Sequence, residues 1–190
     1  MSKESNHFSD ETIVKSILNG NIQGFAIIIK NTEKLVTQIV KKMVADEDDQ
    51  KDLVQDIYLK TYKNLSSFQF KSKLSTWTAN IAYNTTINFL QKKKIPLVDV
   101  EENMQRNLII TENPELTTIK TEAVEILNVE IAKLPPLYKT LITLYHLEEL
   151  PNKEISEITN LPEGTIKSYL YRARKMLKEN INHHYKNKSS

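Results

Sequence analysis

The chain has 190 residues, no cysteine, three glycines, six prolines and a formal net charge of +2. Lack of thiols excludes disulfides and thiolate metal sites, and the four histidines form no ligand set, since His7 and His146 are isolated and His183 with His184 lies in a polar C-terminal stretch. A hydrophobic content of 39% with few helix breakers predicts a helical globular protein of two small units, and without a signal peptide, lipidation motif or membrane-length apolar run a cytoplasmic location is expected.

Taken in order, the first helix has Ser9 as a suitable N-cap, Asp10 and Glu11 where the helix dipole favours acids, and Ile13, Val14, Ile17 and Leu18 as its apolar face before Gly20. A second helix is predicted over 22–44. Its Phe25, Ile28, Ile29, Leu35, Val36, Ile39, Val40 and Met43 give a wide stripe suited to a bundle core. The third, over 48–65, turns Leu53, Ile57, Tyr58, Thr61 and Leu65 inward and leaves Asp49, Asp52, Gln55 and Asp56 on polar faces. Residues 46–56 contain six acids and one lysine. Some of these suit the dipole, but six exceed what one helix end can use, and a basic protein partner is the second reading.

Residues 57–98 hold no acid and seven lysines. Within them the polar loop 66–75 carries Phe68 and Phe70 next to Lys71 and Lys73. The rings can plug the bundle, or they can stack on unpaired bases while the lysines neutralise phosphate. A fourth helix over 74–94 sets Asn80, Asn84, Asn88 and Gln91 at spacings of four, four and three, on one face beside Trp77, and ends in Lys92, Lys93 and Lys94. Such a stripe is either solvated surface or a set of amides able to pair with both donor and acceptor edges of bases.

Beyond 95 the periodicity dissolves, and residues 99–133 return to eight acids against three bases. A helix over 116–132 leads to Pro135 and Pro136, and Leu137, Leu141, Leu144 and Tyr145 form the face of the next. Pro151, Asn152 and Glu154 suit a first helical turn, Ile155 and Ile158 its short apolar face, and Asn160 tolerates a left-handed backbone before Leu161 and Pro162. In the following helix Ile166, Leu170, Ala173 and Leu177 form one buried stripe. The remaining faces carry Thr165, Lys167, Ser168, Tyr169, Arg172, Arg174 and Lys175, and no acid occurs between 165 and 178. Two helices joined by so short a turn, with a basic second helix, form a helix-turn-helix pattern suited to duplex DNA; a plain helical hairpin with a solvated basic face is the competing reading.

Two blocks of residues resemble the RNA polymerase sigma factors of the bacterial extracytoplasmic-function (ECF) group. Lys51-Asp52-Leu53-Val54-Gln55-Asp56 resembles that family's acidic DLVQ helix start, and Thr76-Trp77 with Ile81-Ala82 and Asn84 its TW and IAxN signature. Leu134-Pro135, Glu154-Ile155, Gly164-Thr165-Ile166-Lys167-Ser168 and Arg172-Ala173-Arg174 resemble the LP, EI, GTVKS and RAR landmarks. Each motif alone is weak, whereas the ordered set is specific.

The resemblance implies an all-α fold of two small helical domains joined by a flexible linker, the second containing the helix-turn-helix. The expected boundaries are 8–94 for region 2, 95–118 for the linker, 119–183 for region 4 and 184–190 for a disordered tail. It implies that Asp49, Asp52, Gln55 and Asp56 dock on the largest subunits of core RNA polymerase. Phe68, Phe70, Lys71, Lys73, Trp77, Asn80, Asn84, Asn88 and Gln91, with Lys92, Lys93 and Lys94 on phosphates, would hold the opened minus-ten element. Thr165, Lys167, Ser168, Tyr169, Arg172, Arg174 and Lys175 would read the minus-thirty-five duplex. Tyr169 and Gln91 stand where the family often has arginine, Asn88 where it often has aspartate, and Ser156 where it often has alanine. An anti-sigma protein or another recruiting protein is the expected regulator.

No Gly-rich phosphate loop, Ser/His/Asp arrangement or metal cluster is evident, so neither enzyme activity nor a cofactor is expected. Two other functions fit parts of the pattern. A stand-alone helix-turn-helix regulator gives no role to the amide stripe or the Phe loop, and a sigma-like interaction protein would bind polymerase without supporting initiation.

Overall fold

The computed structural model describes residues 10–97 and 119–188, and all their regular structure is helical. The proposed Ser9 cap and most of the expected linker, 98–118, lie outside the described residues. The elements are α1 (Asp10–Leu18), α2 (Phe25–Met43), α3 (Glu47–Lys63), α4 (Leu74–Lys92), α5 (Ile119–Lys133), α6 (Pro136–Ile142), α7 (Asn152–Thr159) and α8 (Glu163–Lys188).

The α1–α2 junction turns on Gly20, whose φ of +102° would strain a residue with a Cβ. A short 3₁₀ turn over Ile22–Gly24 then leads into α2, so the second helix begins three residues later than its apolar pattern suggests. α3 starts where Asp46 accepts hydrogen bonds from the backbone N–H groups of Asp48 and Asp49 at 3.0 and 2.9 Å. Such a cap is worth about 1 kcal/mol. After α6, residues Thr143–Leu147 widen into a π-helical turn, with the Glu148 N–H reaching the Thr143 carbonyl at 3.0 Å. α8 continues to Lys188 instead of giving way to the expected tail at 184. The chain has no glycine or proline after Gly164 to stop it.

Two apolar clusters organise the molecule. The smaller holds Ile13, Val14, Ile17 and Ile28 against Leu65, Phe68 and Leu74, fixing α1 and the Phe loop to the base of α2. The larger is continuous across both sequence units. Val36, Ile39, Val40, Ile57 and Ala82 of the first share it with Leu134, Leu141, Ile155, Ile166 and Leu170 of the second. α2 packs on α6, and α4 packs on α7. The Leu137 N–H donates to the Leu97 carbonyl at 3.1 Å, which ties the end of the first unit to the start of α6.

Candidate polymerase and nucleic-acid interfaces

The acidic helix is the first surface. Asp52 and Gln55 are exposed on α3, and Asp56 pairs with Lys60 at 2.7 Å, one turn away. Asp49 is less free, because Lys93 at the end of α4 reaches its carboxylate, and the same ammonium lies 4.7 Å from the Phe89 ring centroid. Beside these acids, a cleft of about 440 Å³ between α2 and α3 is lined by Thr37, Lys41, Glu47, Lys51, Val54 and Gln55. It offers an apolar floor with charged walls of both signs.

The two phenylalanines of the loop differ. Phe68 is buried, its ring 5.2 Å from Trp77 and 4.7 Å from Phe70, so it belongs to the smaller core. Phe70 is 45% exposed and sits at φ +56°, an unusual conformation for an aromatic residue that the surrounding packing must enforce. Lys71 and Lys73 flank it and are exposed.

The amide stripe also divides. Asn88 and Gln91 are exposed, as are Lys92, Lys93 and Lys94, whereas Asn80 and Asn84 are half-buried under α7. The Asn80 amide donates to the carbonyls of Glu157 and Ile158 at 3.0 and 2.9 Å, and its oxygen accepts from Asn84 at 3.0 Å. The Asn160 amide approaches the Asn84 oxygen at 3.5 Å. Nearby, Glu154 of α7 takes an ion pair from Lys73 and a hydrogen bond from Thr76 at 3.3 Å. None of these cross-unit contacts is legible in residue spacing, and Glu154 reads in the sequence as a residue suited to a first turn and as part of the Glu154-Ile155 landmark, not as a partner of region 2.

The helix-turn-helix is closed by local chemistry. Asn160 adopts φ +58° and ψ +20°, its N–H bonded to the Ser156 carbonyl at 2.8 Å. The Ser156 hydroxyl donates to the Leu161 carbonyl at 2.6 Å, a bond the family's common alanine cannot make. On α8, Lys167, Ser168, Arg172, Arg174 and Lys175 are exposed and Thr165 is half-buried. Tyr169 turns partly inward, 5.6 Å edge-on to Tyr138. It also lies near Tyr83 of α4, whose hydroxyl is pushed up to about 12 by burial first and by Tyr169 second. The Arg174 guanidinium bonds to the His146 ring at 3.2–3.3 Å and lies 5.4 Å from the Tyr145 centroid. Burial, then Arg174, holds His146 below its ordinary range.

Comparison with known proteins places this architecture. The Sigma-70 region 2 family matches residues 28–95, and the Sigma-70 region 4 family matches residues 125–177. The ECF RNA polymerase sigma factor SigW of Bacillus subtilis (strain 168) is 30% identical over 176 residues, covering 88% of this chain and 94% of that protein. The chain belongs to the ECF RNA polymerase sigma factors. The sigma-E factor of Escherichia coli (strain K12) is likewise 30% identical over 185 residues, 93% of this chain and 96% of its own. Among solved structures, CnrH in complex with the cytosolic domain of CnrY shares the fold with a TM-score of 0.64 at 16% identity, covering 92% of this chain and 97% of that one. The sigma factor RpoE in complex with the anti-sigma factor NepR from Bartonella quintana gives 0.58 at 20%, covering 88% and 98%. Members of this family are transcription initiation factors rather than enzymes. Among the described residues, no acid or histidine group is disposed to hold a metal ion, and no helix is long and apolar enough to cross a membrane.

Proposed function

We propose that this sigma factor is a dissociable subunit that binds core RNA polymerase in the cytoplasm, brings it to particular promoters and helps open them, with all bond-making left to the polymerase. The observation that carries the proposal is the ordered occurrence of a region 2 and a region 4 in one chain, each with an exposed charged surface suited to its partner.

In this reading Asp52, Gln55 and Asp56 meet basic groups on the polymerase, with Asp49 joining once Lys93 is drawn to phosphate. The α2–α3 cleft receives an apolar side chain beside them. Phe70, held outward at a left-handed backbone position, is the stacking ring, and Phe68 with Trp77 supports it from beneath. Asn80, Asn84, Asn88 and Gln91 pair with exposed base edges, while Lys71, Lys73, Lys92 and Lys94 neutralise phosphates. Lys167, Ser168, Arg172, Arg174 and Lys175 enter the major groove upstream, with Thr165 at the helix start and Tyr169 at its edge. The domain limits 8–94 and 119–183 divide the labour. The capture of the similar RpoE in complex with the anti-sigma factor NepR supports a separate regulatory protein, an anti-sigma factor, as a further partner.

Reconstituted run-off transcription with core polymerase and genomic DNA tests the proposal. The expected result is a set of transcripts made only when the chain is present. Stable core binding without any factor-dependent transcript would instead favour a non-initiating interaction protein, and strong duplex binding without polymerase a stand-alone regulator.

A further inference from the structure

α1 lies outside the residues matched by region 2, which begin at 28, and none of the candidate interfaces includes it. Its packing points to a task. The Phe loop stands on two feet, Phe68 and Leu74, and both are buried in the smaller cluster against Ile13, Val14 and Ile17 of α1. Only Gln69 to Lys73 lie between the feet, and among them is Phe70, at φ +56° and 45% exposed.

The downstream foot is also tied by a polar bond. α4 begins without a side-chain cap of its own, since Lys73 stands at the capping position and has no oxygen to offer. The unpaired donor at the helix start is met from α1 instead: the Asp10 carboxylate accepts from the Leu74 N–H at 2.8 Å, across 64 positions of sequence. Its negative charge suits a helix N-terminus as well. α1 comes this close because Gly24 has no side chain; a Cβ there would stand 3.0 Å from Ile17 Cγ1. A cleft of about 310 Å³ lies beside the bond, lined by Asp10, Asn31, Thr32 and Ser75 among others, so the carboxylate bridges a gap and does not belong to a filled core.

A left-handed backbone at an aromatic residue persists only where its surroundings hold both sides of it. Loosening the start of α4 gives residues 69–73 the freedom to return Phe70 to an ordinary conformation, and the ring then loses its outward pose. We propose that Asp10 is a positioning residue for strand opening: by capping α4 from α1 it fixes the downstream end of the Phe loop and presents Phe70 to the opened strand, without touching DNA itself. The proposal rests on the reading of Phe70 as the stacking ring. Glu11, the neighbouring acid, is exposed and pairs with Lys15 at 2.6 Å within α1, so it has no part in this tie.

Holoenzyme assembled with each variant on a promoter fragment tests the assignment, with duplex capture read by mobility shift and opening by permanganate reactivity of unpaired thymines. Asp10→Ala should lower opening roughly fivefold, the ratio to which one lost helix cap corresponds, with core association and capture unchanged. Asp10→Asn keeps an acceptor oxygen and should hold opening within about twofold of the parent. Asp10→Glu keeps the charge but displaces the acceptor by a methylene; it should lower opening by a smaller ratio, and it keeps the test decisive where alanine unfolds the chain. Glu11→Ala removes an acid from the same first turn and should change nothing. Added to Phe70→Ala, Asp10→Ala should bring no further loss of opening, because Asp10 acts through that ring. A loss that adds fully to that of Phe70→Ala, or that Asp10→Asn shares, would reduce Asp10 to a general stabiliser and overturn the proposal. Opening lost in Phe70→Ala but unaffected by Asp10→Ala and Asp10→Glu would overturn it and leave the stacking assignment intact. Opening unaffected by Phe70→Ala would remove the stacking assignment, and the proposal with it.

Discussion

On α4, Asn80 and Asn84 bind the backbone and a side chain of the other region, while on α8 Lys167, Ser168, Arg172 and Lys175 are exposed. The surface suited to unpaired bases is half covered, and the one suited to duplex is open. Base edges and a helix end present the same acceptors, so amides placed to pair with bases also pair with a helix C-terminus when no DNA is present. Among the described residues, the guanidinium and ammonium groups on α8 find partners only within region 4, His146 beside Arg174 and Glu179 at 4.0 Å from Lys175, and none from region 2.

The difference depends on a core shared between the regions, and the largest effect should come from breaking it. Leu141 is fully buried in the larger cluster, and Leu141→Ala should lower stability by about 2–5 kcal/mol. If the regions fold as one packed unit, thermal unfolding followed by circular dichroism will stay a single transition displaced to lower temperature. Two resolved transitions, with the region 2 transition unmoved, would mean that the covering of α4 is energetically slight.

Reversing Asp52 and Asp56 together to lysine sharpens the comparison from the polymerase side. Association with core, measured by competition with a labelled sigma factor, should weaken on the order of tenfold at unchanged helix content. Unaltered association would remove α3 from the interface. On α8, replacing Lys167 or Arg172 by alanine in the holoenzyme should reduce upstream duplex affinity and lower the slope of log affinity against log salt by about one for each lost phosphate contact. A slope unchanged by either substitution would return the basic face to ordinary solvated surface.

The smallest effect concerns His146. Because its pKa in the fold lies below its ordinary 6.5, the unfolded chain takes up the proton first. Stability should therefore fall as pH drops through about 6.5, levelling off below the lowered folded value. His146→Gln should flatten that part of the stability–pH curve; an unchanged slope would assign it to other groups.

Much of the fold was legible because the signals were local. Ile166, Leu170, Ala173 and Leu177 read as one stripe and are buried together, and Asn160 before Pro162 announced a left-handed turn that the backbone adopts. Phe68 and Phe70 look alike in sequence, and only packing against Trp77 and the strained φ of Phe70 separates them. In the sequence Glu154 is a first-turn residue and half of the Glu154-Ile155 landmark; its partners, Lys73 and Thr76, lie 81 and 78 positions away, beyond the reach of any periodicity argument. The extent of α8 is hidden for a different reason: the polar composition after 183 suggests a disordered tail, but nothing in that composition breaks a helix.

The division of labour between α4 and α8 is tested most directly by separating melting from capture. With holoenzyme on a promoter, duplex capture can be followed by mobility shift and strand opening by permanganate reactivity of unpaired thymines. Alanine at both Asn84 and Asn88 should abolish most of the permanganate signal while changing capture little, because duplex contacts are carried by α8. Equal loss of capture and opening would contradict the account, since it would mean that the amide face contributes to holding duplex and not to reading the opened strand.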